Sequence, residues 1–303
     1  MSDDRLVPET NREVEAATGS EETLSESWSV RRILVALDAS AASLAALNAA
    51  VNLASRLHSE VHGLFVEDIN LFRLAELPFA REIRYGETVS RQVEREELQR
   101  GLRARAAVLR HELAALAEQN KLRSTFQVVR GAVDSELVAA ARDSDLLALG
   151  RLGHSFVRRT RLGSAARSVV ARAASPVLLV RPDVEGGPVV VLYDGSAAGR
   201  RALAVAAAVA GQDGDAPELR VLVWGPDEQT AFDRRQLAAR LLEPAGLRAQ
   251  FQHTCSDSAT RLVEWVNRQH GSLLILSARG DELPATTIER LVDDAEQHLL
   301  LIR

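Results

Sequence analysis

The chain has 303 residues, 46% of them hydrophobic, which is enough for two domains of ordinary size. Its single cysteine, Cys255, excludes an intrachain disulfide and a cysteine-rich zinc site. The net charge of −5 is concentrated in residues 1–29, where eight acids face only Arg5 and Arg12, so the remainder is close to neutral.

That acidic leader, residues 1–29, has no apolar period and is expected to be disordered. Nothing in it resembles a signal peptide, and no stretch of the chain approaches the roughly 20 apolar residues of a membrane helix. The expectation is a cytoplasmic protein without a membrane span. "RILVAL" then reads as a strand, followed from Ser40 by a helix with Leu44, Leu47, Val51, Ala54 and Leu57 on one face. "EVHGLFVE" reads as a second strand. A long helical section to about Asn120 follows, with a stripe of Leu98, Leu102, Leu109, Leu113 and Leu116. The extra section, 68–120, is read as a brace that finds a core, a partner surface being the alternative. "TFQVVRG" is a third strand, "AVDSELVAAARDS" a helix and "DLLALG" a fourth strand. A helix begins near Ser164 and "SPVLLVR" supplies a fifth strand. Strands alternating with helices imply a parallel sheet covered on both faces.

The order then repeats. "RRILVALDASAASLAAL" at 31–47 matches "GPVVVLYDGSAAGRRAL" at 187–203, so Asp38 pairs with Asp194 and Ser40 with Ser196. "DSDLLALGRLG" matches "HGSLLILSARG", and "SPVLLVR" matches "QHLLLIR". Two copies of one α/β unit are expected, 30–181 and 188–303, joined by a linker at 182–187. The second copy is shorter, mainly after its second strand.

In a doubly wound sheet, ligands bind beyond the carboxyl ends of the strands where strand order reverses. Three segments of the first copy reach that edge: the "LDAS" turn, "FVED" and "GRLGHSFVRRTRLGS" at 150–164. Gly150 and Gly153 let backbone N–H groups approach an anion. Gly163 and Ser164 open a helix whose unpaired N–H groups favour one. From Leu146 to Pro182 there are seven arginines and no acid. Arg151, Arg158, Arg159 and Arg161 are the expected phosphate neighbours, whereas Arg167 and Arg172 sit on a helix and are expected to be exposed. No lysine follows the last glycine, so this is not a P-loop. No dinucleotide fingerprint is present either.

The spacing Gly-x2-Gly-x9-Gly-Ser resembles that of ATP-binding members of the universal stress protein family. The resemblance covers 31–181 well and 187–303 more weakly, so the chain looks like a tandem member. It implies two five-stranded parallel sheets of the adenine nucleotide alpha-hydrolase-like type, strand order 3-2-1-4-5, packed as a pseudo-two-fold pair through their last strands. Carried over by position, Ala36 and Leu37 would line an adenine pocket and Val66 would meet the base. Asp38 would contact the ribose or a phosphate-bound Mg²⁺. Gly150, Arg151, Gly153, Gly163, Ser164 and Ala165 would hold the phosphates. The cofactor implied is ATP with Mg²⁺, ADP or AMP being alternatives. "DAS" departs from the family's Asp-Gly-Ser turn and demands a backbone conformation that alanine accepts.

In the second copy "DGS" is intact, but "SARGDELPATTIERL" puts Ser277 at the first glycine and Arg290 and Leu291 at the Gly-Ser pair. Its acids Asp281, Glu282 and Glu289 would oppose phosphate, so one site per chain is expected. Blander readings stand beside these. Asp38 and Asp194 also suit plain turns, His58 and His62 straddle a helix end and a strand, and His154 suits an exposed position. Cys255 suits a small packing site. The tryptophans, Trp28, Trp224 and Trp265, make no stacking platform, and no nucleic-acid partner is expected. The leading expectation is an ATP-binding stress-response or regulatory protein rather than an enzyme. The SGGxDS and HxGH motifs of ATP-cleaving relatives are absent, although slow hydrolysis is left open. A nucleotide-independent scaffold is the other class, with a homodimer and an unidentified protein partner left open.

Overall fold

Short apolar runs closed by Asp, Ser or Gly become buried strands, and the Ala/Leu-rich stretches after them become the helices that cover the sheet. The computed structural model describes residues 28–77, 81–82, 91–92, 95–151, 162–184, 186–211, 219–255, 258–278 and 282–303. Residues 1–27 of the acidic leader, Gly153, His154, Arg158, Arg159 and Arg161 lie outside the described residues.

The first half runs β1 (Arg32–Leu37), α1 (Ala41–Leu57), β2 (Glu60–Asp68), α2 (Ile69–Ala75), β3 (Arg81–Glu82), β4 (Arg91–Gln92) and α3 (Arg95–Gln119). It continues with β5 (Ser124–Gly131), α4 (Val133–Ala141), β6 (Leu146–Gly150), α5 (Ser164–Arg172) and β7 (Val177–Val180). The second half comprises β8 (Val189–Tyr193), α6 (Ala197–Ala210), β9 (Leu219–Trp224), α7 (Glu228–Leu242) and β10 (Ala249–Thr254). It ends with α8 (Ala259–Asn267), β11 (Leu273–Ser277), α9 (Ala285–Asp294) and β12 (His298–Ile302).

The repeat is visible in the capping as well as in the order. Ser40 caps α1 by accepting from Ser43 N–H at 3.1 Å, and Ser196 caps α6 by accepting from Gly199 N–H at 2.9 Å. A serine here satisfies an N–H that the helix cannot pair internally.

Each half has its strands in the expected order, β5-β2-β1-β6-β7 and β10-β9-β8-β11-β12. The two five-stranded halves join through their last strands, as the resemblance implied, and so share one continuous sheet. β7 and β12 pair antiparallel, with Leu179 opposite Leu299 and Val177 opposite Leu301, giving one ten-stranded sheet that is parallel within each half. Both strands are apolar on both faces, so burying their edges against each other removes two unpaired ladders from solvent. One core lies on each face and each runs through both halves. The first includes Leu47, Leu109, Leu113, Leu203 and Leu241, and the second Leu137, Val169, Leu262 and Leu291.

The long helical section contains four elements among the described residues, α2, β3, β4 and α3, rather than one helix. Asp68 starts α2 by accepting from Asn70 N–H at 2.9 Å, β3 and β4 pair, and α3 carries the expected stripe. Leu102, Leu109 and Leu113 are buried, while Leu98 and Leu116 pack partly buried against them. This part of the section is therefore a brace.

Candidate functional site

A cavity of about 470 Å³ opens beyond the carboxyl ends of β1, β2 and β6, where the strand order reverses. Its size lies within the range of small-molecule sites. One wall is apolar: Ala36, Leu37, Leu64, Phe65 and Val66 from the strand ends, Leu71 from α2, Leu102 from α3, and Val133 and Leu137 from α4. The rest of the lining is polar or backbone-rich, with Asp38, Ser40, Ser43, Gly150, Gly163, Ser164 and Ala165. An apolar slot ending in hydrogen-bond donors suits a flat ring joined to an anion.

The donors come from local chain geometry. Gly163 precedes α5 as a cap residue with no side chain, so it supplies no side-chain acceptor to the first-turn N–H groups beside the cavity. Such a terminus favours an anion through those N–H groups and the helix dipole. Gly163 N–H itself donates to Arg151 O at 3.2 Å. Gly150 is glycine for a packing reason too. A Cβ there would lie 2.6 Å from Ala42 C, in the backbone of α1. The glycine thus lets the end of β6 and the start of α1 close on one another.

Asp38 is exposed at the rim, and its Oδ1 accepts from Ser40 N–H at 2.9 Å. Ala39 takes φ +64°, the left-handed conformation that its counterpart Gly195 adopts at +81°. "DAS" therefore keeps the turn of "DGS" at the cost of backbone strain. Magnesium characteristically uses one or two carboxylates together with phosphate oxygens and water, and a single rim carboxylate is compatible with that habit. Among the described residues no group of three or more His, Cys, Asp or Glu side chains could hold a metal alone.

Of the ten residues singled out for nucleotide, Ala36, Leu37, Asp38, Val66, Gly150, Gly163, Ser164 and Ala165 line this one cavity. Gly153 is outside the described residues. Arg151 corrects the expectation. Its guanidinium is buried at 2% exposure and donates to Ala295 O at the end of α9, away from the cavity. Arg167 and Arg172 are exposed on α5, as expected, and pair with Asp293 at 3.2 Å and Asp134 at 3.5 Å. The cavity cation that sequence reasoning missed is Arg105, on α3 one turn beyond Leu102. The helical period put it near the buried stripe, but only the packing of α3 shows that it meets the cavity.

The second half fills the equivalent place with its own side chains. Leu37 pairs with Phe65 and Tyr193 with Val223, so Trp224 stands where Val66 does. Arg234 from α7 lies over Gly195, donates to Trp224 O at 3.1 Å and pairs with Glu282 at 2.8 Å. Asp194 is turned inward, 2% exposed, its Oδ1 accepting from Ser196 N–H at 3.1 Å and Ser196 Oγ at 2.7 Å.

The two histidines four apart are structural. His58 ends α1 in the left-handed conformation, and His62 hydrogen-bonds Thr125 and, at 3.4 Å, Gln127. Cys255 is not a core packing residue. It is half-buried, and its thiol donates to Glu228 Oε1 at 3.4 Å, which pushes its pKa up. No helix among the described residues is long and apolar enough to cross a membrane.

The Universal stress protein family matches residues 29–181. A universal stress protein of Methanocaldococcus jannaschii is 28% identical over 153 residues, covering 50% of this chain and 82% of that one. The crystal structure of a universal stress protein from Archaeoglobus fulgidus superposes with a TM-score of 0.68 at 16% identity, over 89% of this chain and 97% of that chain. A functionally unknown protein from Pseudomonas aeruginosa PAO1 superposes with a TM-score of 0.57 at 15% identity, over 90% of this chain and 92% of the other. These structural likenesses concern the fold.

Proposed function

Because the chain belongs to the universal stress protein family, we propose that its first half, expected to span 30–181, is an ATP-binding regulatory module of a stress response. The observation that carries this reading is the cavity itself, an apolar slot ending at Gly150 and the uncapped start of α5. Ala36, Leu37, Val66 and Leu102 would enclose the base. Asp38 would take the ribose or share a Mg²⁺ that neutralises phosphate charge. The backbone of Gly163, Ser164 and Ala165 would hold the phosphates, with Gly153 completing the motif. ADP and AMP fit the same donors with fewer contacts. The second half carries no such site in this reading, since Arg234 and Trp224 occupy the place.

Binding without rapid turnover is favoured by the acids that line the cavity. These are Asp38 and Asp68, and each already accepts a turn or capping hydrogen bond, from Ser40 and Asn70. The test is calorimetric titration of ATP, ADP and AMP, each with Mg²⁺, against wild type, Asp38→Ala and Ser164→Glu, with product formation followed in parallel. Tight ATP binding by wild type, weakened in both variants and without multiple turnovers, is expected. Absence of nucleotide binding by wild type would sink the proposal in favour of a scaffold, and sustained turnover would make the protein an enzyme.

A further inference from the structure

We propose that Arg151 is a positioning residue, which holds the Gly150 end of the cavity and the start of α5 through an attachment to the second half, so that ligand affinity is coupled to the carboxyl end of α9. This rests on the nucleotide-binding reading above. Backbone and side chain of Arg151 do separate things. The backbone N–H donates to Val180 O at 2.8 Å, and the carbonyl accepts from Gly163 N–H at 3.2 Å. One residue thereby joins the end of β6, the end of β7 and the cap of α5. The side chain crosses the seam, where Nη1 donates to Ala295 O.

Its neighbours follow the same course. Arg181 donates to the same Ala295 oxygen at 2.9 Å, and Arg167, inside α5, reaches Asp293 at 3.2 Å. Arg303, the last residue of the second half, donates to Val170 O. The helix whose first turn faces the cavity is tied to the second half before its start, within it and near its end. These are several parallel hydrogen bonds across one seam, a network through which coupling can travel.

The fold alone does not call for an arginine here. The pseudo-symmetric residue is Ala278, which follows Ser277 as Arg151 follows Gly150. Ala278 N–H donates to Ile302 O at 2.8 Å, the same backbone closure without a long side chain. Arg151 is costly by comparison. It is a buried cation whose Nη2 has no partner among the described residues. Burial first, and the nearby charge of Arg181 second, pull its pKa down to about 10, with Asp293 and Asp294 acting the other way. A well-packed apolar side chain would avoid that desolvation. The arginine is therefore an addition to the half that carries the cavity, and it connects that cavity to α9.

The experiment pairs ATP titrations with amide hydrogen exchange, using full-length wild type, Arg151→Met and Arg151→Lys with Mg²⁺. Arg151→Met is expected to raise the Kd for ATP about tenfold, a typical coupling between sites, with Arg151→Lys intermediate. In wild type, saturating ATP is expected to slow exchange both at Ser40–Leu44 and at Ala295–His298. In Arg151→Met the first response persists and the second disappears, which a merely structural arginine would not produce. A folded Arg151→Met with unchanged Kd overturns the proposal. So does ATP binding by wild type with no response at Ala295–His298, a result that leaves the nucleotide reading intact and needs no variant. Failure of wild type to bind ATP overturns both.

Discussion

Acidification should weaken the seam between the halves through one imidazole. His298 begins β12, and its Nδ1 accepts from Arg181 N–H at 3.3 Å, which requires the neutral ring. Burial, and secondarily the Arg181 charge, lower its pKa from 6.5 to about 4. The folded value is the depressed one, so the unfolded chain takes up the proton first. The stabilising contribution is complete above about pH 6.5 and is lost as the pH falls through 4. Between pH 7 and pH 5 these two values correspond to about 2 kcal/mol, or about 1–2 kcal/mol once solvent access to the partly exposed ring is allowed for. The assay is urea denaturation of wild type and His298→Asn at pH 7, 6 and 5. Asparagine keeps an acceptor near the Nδ1 position but does not titrate. Carboxylates and the other histidines are common to both proteins and cancel in the difference. Wild type should lose about 1–2 kcal/mol more than the variant over this interval. Parallel pH profiles would refute the reasoning.

Ala39→Gly should raise stability by up to about 1 kcal/mol, seen as a higher urea midpoint, because it relieves a left-handed alanine while adding chain entropy. Gly150→Ala should cost about 1–3 kcal/mol by forcing β6 away from the α1 backbone, and calorimetry should show ATP binding lost with it. Arg130→Met should destabilise by about 2 kcal/mol at pH 7, less than a fully buried pair would because Arg130 is partly exposed. It strands Glu67, which accepts both Arg130 Nε at 2.9 Å and Nη2 at 2.6 Å and is 7% exposed. The double change Glu67→Leu/Arg130→Met should recover most of that loss in the same denaturation assay.

The repeat, the strand positions and most of the cavity are legible in the sequence because each depends on local pattern. Apolar runs such as "LLALG" and "VLLVR" are buried on both faces, and Asp-x-Ser turns punctuate them. The start of α2 carries a local signal too, since Asp68 caps it, but β3 and β4 have two residues each and no period to read. What escapes local reading is direction. The arginines of 151–181 look like one basic field, yet Arg151, Arg167 and Arg181 are drawn to the end of α9, whose position depends on the antiparallel seam. Arg105 is hidden for a related reason, because its place at the cavity follows from the packing of α3. The self-filled second crevice is only half visible. The missing Gly-Ser pair can be read, whereas Arg234 lies far from it in sequence and reaches it only across the fold.

The antiparallel join of β7 and β12 also gives the molecule a sidedness. Strands in the two halves run in opposite directions, so their carboxyl ends emerge at opposite poles of the sheet. The open cavity faces one pole and the crevice stoppered by Arg234 faces the other. A macromolecule gripping the stoppered pole leaves the other doorway unobstructed, so small ligand and large partner need not compete for space. Any influence of one on the other has to cross the seam between the halves, where Arg151, Arg167 and Arg181 meet the end of α9.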